Sequence, residues 1–92
     1  NETGFMLKQN EPNPFIHRTG FSYRVPKAGY VRISITDSRG NVMRCPVNRH
    51  HQPGSYHFEL SGSDFTPGIY SVTMEAGNFR ETKKMVVLTP DQ

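Results

Sequence analysis

The sequence predicts an all-β sandwich of seven short antiparallel strands. Three observations carry that expectation. Turn residues recur along the whole chain, with Pro at 12, 14, 26, 46, 53, 67 and 90 and Gly at 4, 20, 29, 40, 54, 62, 68 and 77. The stretches between them run about five to nine residues, which suits strands. Apolar residues within those stretches alternate with polar ones, and no longer run keeps a helical apolar period free of Gly and Pro.

Each element can be placed in order. Phe5-Met6-Leu7-Lys8-Gln9 is a short first strand. Phe21, Tyr23 and Val25 alternate with Ser22 and Arg24 in the second. Val31, Ile33 and Ile35 alternate with Arg32, Ser34 and Thr36 in the third, the cleanest of the set. The fourth, residues 42–47, contains Pro46. Proline lacks the amide hydrogen a ladder needs, so this strand belongs at an edge. Tyr56, Phe58 and Leu60 form the inward side of the fifth strand, and Tyr70, Val72 and Met74 that of the sixth. Residues 80–88 make the seventh.

The connections are legible too. Residues 26–29 form a tight turn. Asp37-Ser38-Arg39-Gly40-Asn41 is a turn with Gly40 placed for positive φ. Residues 76–78 close a hairpin. Residues 49–53 are expected to be the longest polar loop. Seven strands with one apolar face each need two sheets face to face, as in an immunoglobulin-like β-sandwich with Greek-key connections. A small closed barrel is the alternative. Phe5, Phe15, Phe65 and Phe79 lie outside the cleanest alternation and are expected to plug the ends of the sandwich.

The chain has 92 residues, one domain's worth, and is 34% apolar. A chain this short buries only about 60–65% of its unfolded surface. Its 6 Phe and 4 Tyr therefore matter, because aromatic side chains bury the most area each. No apolar run approaches the ~20 residues of a membrane-spanning helix. Asn1-Glu2-Thr3-Gly4 lacks the basic and apolar regions of an export signal, which is expected upstream in a longer parent. Residues 1–6 read as a linker and 7–92 as the domain.

The formal charge is +3, but the basic residues are scattered and only Lys83-Lys84 pair locally. That excludes the clustered basic stripe of a nucleic-acid-binding domain. The lone Cys45 forms no internal disulfide and is expected to be a small buried or half-buried residue. His50 and His51 are adjacent, so their side chains diverge, and His57 falls on the outward side of its strand. These are expected to be solvated histidines, and His17 has no visible partner. Metal binding needs three or four converging ligands. The eight carboxylates are scattered, with no local acid/base pair. No nucleophile elbow or phosphate-cradling glycine loop occurs. Asp37 and Asn41 are explained by turn chemistry rather than calcium. No catalytic residue, metal site or cofactor is expected.

Several segments, taken together, resemble a known family. Leu7-Lys8-Gln9-Asn10-Glu11-Pro12-Asn13-Pro14-Phe15 resembles the opening of the C-terminal sorting domains of type IX secretion cargo. Physically, the two prolines are expected to hold an extended backbone and Phe15 to cap the core. Further matching features follow in order: Asp37-Ser38-Arg39-Gly40, Pro53-Gly54, Thr66-Pro67-Gly68-Ile69-Tyr70, and a closing run from Gly77 through Phe79, Thr82, Lys83 and Lys84 to Leu88. Two departures are the His-rich loop and the tail Thr89-Pro90-Asp91-Gln92, and the tail keeps open a likeness to the Ig-like domain of flagellar hook-capping proteins.

The resemblance implies an exported address label. The parent would cross the periplasm, pass through the outer-membrane secretion machinery, and end at the cell surface or outside the cell. A sortase-like peptidase usually removes such a domain from the upstream cargo domain. Recognition would fall on Lys83, Lys84, Met85, Val86, Val87 and Leu88, as an edge strand offering unpaired backbone. Pro12, Asn13, Pro14, Phe15, Asp37, Gly40, Pro67, Gly68 and Tyr70 would be mainly structural. Exposed edges leave room for weak homodimer formation. The alternative is an accessory sandwich of a larger secreted enzyme or adhesin, packing on a neighbour or binding glycan or protein.

Overall fold

The computed structural model describes residues 4–89. The tail residues 90–92 and the first half of the 1–6 linker lie outside them. Seven strands run in order: β1 (Met6–Leu7), β2 (Arg18–Val25), β3 (Gly29–Thr36), β4 (Val42–His51), β5 (Gly54–Ser61), β6 (Gly68–Ala76) and β7 (Phe79–Val87). A single 3-10 turn, Gly62–Asp64, joins β5 to β6. The strands form two antiparallel sheets, β1-β2-β5 and β4-β3-β6-β7. The chain changes sheet after β2, after β4 and after β5, which is the Greek-key route of an immunoglobulin-like sandwich. Relative to the constant-type arrangement, the fourth strand sits on the larger sheet, beside β3. Two separate sheets replace the closed-barrel alternative.

Alternation produces this directly. Phe21, Tyr23 and Val25 from β2 face Val31, Ile33 and Ile35 from β3, and all are buried. Tyr70, Val72, Met74, Met85 and Val87 complete the opposite inner face. Each such side chain contributes about 1.5–3 kcal/mol of transfer free energy. Directly opposed pairs reinforce β2 and β5: Phe21 stacks on Phe58 at 5.1 Å and Tyr23 on Tyr56 at 5.4 Å. The ends are plugged by aromatic rings. Phe15 is buried, Phe5 stacks on Phe79 at 5.3 Å, and Phe65 meets the edge of Tyr70 at 5.2 Å.

Four expectations change. Residues 49–51 are not a loop, since β4 continues to His51 and pairs with Gly29–Val31. Their polar side chains hid the alternation, in which Val47 and His51 are buried and Asn48 and His50 exposed. His51 is therefore not a solvated histidine. Cys45 is exposed rather than buried. Two register breaks in the β3–β4 ladder, around Cys45-Pro46 and Met43, turn it away from the core. The first strand is only two residues long, Met6–Leu7, and Phe5 before it packs against the core. Residues 12–14 are a series of bends between bridges at Glu11 and Phe15, with both Xaa-Pro bonds cis, rather than an extended run.

Candidate recognition surface

The opening motif and the last strand fold onto each other. Leu7 is in the core, and Asn10 is 1% exposed. Burying an amide without partners costs a few kcal/mol, so its bonds matter. Asn10 Nδ2 donates to Thr19 Oγ1 at 2.9 Å and to the Pro12 carbonyl at 3.2 Å. Its Oδ1 accepts from Gln9 Nε2 at 2.7 Å, and Thr19 Oγ1 donates to the Pro12 carbonyl at 2.8 Å. This buried set fixes the bends that follow.

From there the segment runs as a strap between the sheets: Glu11 bridges Gly20 of β2, while Gln9, Asn13 and Phe15 reach the outer edge of β7. Gln9 Nε2 donates to the Lys84 carbonyl at 2.7 Å. Asn13 uses both ends of its amide: Nδ2 donates to that carbonyl at 3.3 Å, and Oδ1 accepts the Val86 N–H at 2.9 Å. Phe15 continues with backbone bonds, donating to the Val86 carbonyl at 3.0 Å and accepting the Leu88 N–H at 2.9 Å. The amide of Asn13 thus stands in for a strand residue, and Phe15 is a true parallel bridge to Val87. The edge expected to be unpaired over residues 83–88 is covered at Lys84, Val86 and Leu88.

The six residues expected to carry recognition divide by parity. Met85 and Val87 are core residues. Lys83 also turns to the inner side, where its Nζ lies 3.3 Å from Glu81 Oε2. Glu81 Oε1 accepts the Leu7 N–H at 3.0 Å, which clips β1 to β7 across the gap between the sheets. Sequence alternation alone does not reveal this clip, because Glu81 and Lys83 look like surface residues. Lys84, Val86 and Leu88 face outward, with Lys84 and Leu88 exposed.

The remaining motif residues build turns. Asp37 Oδ1 accepts from the N–H groups of Arg39 at 2.9 Å and Asn41 at 3.0 Å. The Asn41 N–H above all holds its carboxyl below the usual range, and Gly40 takes φ 90° in the same turn. Tyr70 donates its hydroxyl to the Thr66 carbonyl at 2.6 Å, a tyrosine corner at the start of β6. The same device occurs at the start of β5, where Tyr56 donates to the Gln52 carbonyl at 2.6 Å. Both follow Pro-Gly, with φ +154° at Gly54 and +156° at Gly68, a backbone that side chains with a Cβ rarely adopt. Thr66-Pro67-Gly68-Ile69-Tyr70 and Gln52-Pro53-Gly54-Ser55-Tyr56 are one corner used twice.

The histidines are held apart from one another among the described residues. His51 Nδ1 donates to the Arg49 carbonyl at 3.1 Å, which leaves Nε2 to accept the Tyr23 hydroxyl at 2.7 Å. Burial pushes the Tyr23 phenol up, partly opposed by Arg49. His57 sits outward, 3.3 Å from Ser22 Oγ and 3.8 Å from Glu59. No group of three or more potential metal ligands comes together among the described residues.

A family model described as a secretion system C-terminal sorting domain matches residues 12–88. The chain belongs to that family. No curated protein matches it. The matched span opens within the strap and closes at Leu88, the residue whose N–H the strap accepts. The sorting domain is thus held shut where its two ends meet. Its family consists of sorting signals for type IX secretion and is not a family of enzymes. Membership implies contact with that machinery and a cargo upstream.

Proposed function

We propose that this sorting domain directs the protein attached to it from the periplasm through the outer-membrane type IX machinery to the cell surface or beyond. It acts as a folded label without chemistry of its own, and a sortase-like peptidase removes it after passage. One observation carries the reading: the family match over residues 12–88 takes in six of the seven strands, β2 to β7, and ends on the strap–β7 contact. Recognition falls on the outward part of the last strand, Lys84, Val86 and Leu88. Lys83, Met85 and Val87 support it from within.

The experiment is a fusion. The chain is joined to the C-terminus of a periplasmic reporter in a host with a working type IX system. The reporter is expected outside the cell, and in the periplasm when the system is deleted. A reporter that stays in the periplasm with the domain folded overturns the reading.

A second reading, packing against a neighbouring domain of the same parent, is favoured by one feature. A recess of about 250 Å³ lined by Phe5, Val25, Ala28, Tyr30 and Ala76 opens where the chain enters the sandwich. Tyr30 is 56% exposed beside it. Tyr30→Ser is expected to leave export intact. A loss of export with the fold unchanged would move the recognition surface to this end. Weak self-pairing through an edge strand is checked by sedimentation of the free domain.

A further inference from the structure

The edge of β7 is closed in two different ways and open in a third. Its outward backbone groups belong to the even-numbered residues, as the bonds at Lys84, Val86 and Leu88 show. At the far end, the Val86 carbonyl and Leu88 N–H are bonded to the backbone of Phe15, whose ring is 2% exposed and anchors it. In the middle, the Lys84 carbonyl and Val86 N–H are satisfied only by the side chains of Gln9 and Asn13, which are exposed. At the near end, the outward groups of Arg80 and Thr82 have no backbone partner among the described residues. The exposed Asn13 amide can rotate away without disturbing Asn10 or Phe15, whereas Gln9 Nε2 also donates to Asn10 Oδ1 at 2.7 Å and stays in place.

We propose that residues 80–86 are a strand-addition site gated by Asn13, and that the occupant is an extended segment of a partner with carboxylates at alternate positions. An added strand replaces each side-chain bond of the gate with a backbone bond of the same kind, so little hydrogen bonding is lost. Charge sets the partner's chemistry. Arg80 and Lys84 project on the outer face of β7; Arg80 is paired with Glu75 Oε2 at 3.0 Å, and Lys84, without an ion pair among the described residues, supplies the available charge. The other edges are poorer. β4 carries Pro46 and two register breaks, and β1 is two residues long. β5 has an unbroken register with β2 and is the rival edge.

The partner's place in secretion rests on the sorting reading, but the test does not. The variant is the full chain with Asn13→Ala, which leaves the buried Asn10 set, with its bond from Gln9, and Phe15 untouched. Its thermal unfolding confirms the fold. The probes are a synthetic peptide of alternating Glu and Val and its Lys-for-Glu counterpart. The Val86 amide is expected to exchange faster in the variant. The Glu peptide is expected to bind the variant about tenfold more tightly than the wild type. It should protect the amides of residues 80–86, and the Lys peptide should not. Protection on β5 instead, equal binding of both peptides, or unchanged Val86 exchange overturns the proposal. A domain that fails here but exports the reporter loses only this mode of recognition. One that takes the peptide but leaves the reporter in the periplasm loses the sorting reading.

Discussion

Asn10 carries three hydrogen bonds in a position 1% exposed, where sequence patterning alone reads it as part of a polar loop. Asn10→Ala leaves Thr19 Oγ1 without its donor and is expected to cost about 2 kcal/mol in urea unfolding. Tyr70 was legible as a core residue, whereas its hydroxyl bond to Thr66 was not, because the partner is a carbonyl with no sequence signature. Tyr70→Phe keeps the ring and should cost about 1 kcal/mol in the same assay. Tyr56→Phe should cost less, since Tyr56 is only half-buried. Tyr23 gives a pH signature. Its phenol is raised mainly by burial, so the folded state prefers the proton more than the unfolded chain does. The stability this gives is complete below the ordinary tyrosine value of about 10 and declines as pH rises through it toward the raised native value. Unfolding measured between about pH 8 and about pH 11 should show that decline, and Tyr23→Phe should lessen it.

Among the elements, the strands with clean alternation, β2, β3, β5 and β6, were readable because one face of each is buried. β4 was not. Its buried positions beyond the bulges are Val47 and His51, and a histidine is not counted as apolar in a period-two pattern. Cys45 was misread for the related reason that a bulge shifts the face of every residue beyond it. β7 was placed correctly, but its surroundings came from two remote segments. The clip from Glu81 to Leu7 spans 74 residues of sequence. Glu81→Ala frees that N–H and the Lys83 ammonium, and should cost about 1 kcal/mol because the group is half-exposed. Gly62 is a stricter case. A β-carbon there would sit 1.8 Å from the Ile16 carbonyl oxygen, while Gly62 N–H donates to His17 O at 2.8 Å. Gly62→Ala is expected to destabilise by about 3 kcal/mol, read as a fall in the thermal midpoint.

At the scale of the whole molecule, the family motif and the fold explain each other. The opening motif is sequence-distant from the closing strand, yet its Gln9, Asn13 and Phe15 are the groups that cover that strand's edge. A motif of this kind was visible in the sequence as a resemblance. Its physical purpose was not, because the two partners lie more than 70 residues apart. The sandwich is therefore a folded label whose last strand is held and shielded by its first segment. Export of a reporter carrying this domain tests that account most directly. The account predicts reporter outside a type IX-competent cell and in the periplasm of its system-deleted counterpart. Reporter retained in the periplasm of the competent cell, with the domain folded, would contradict it.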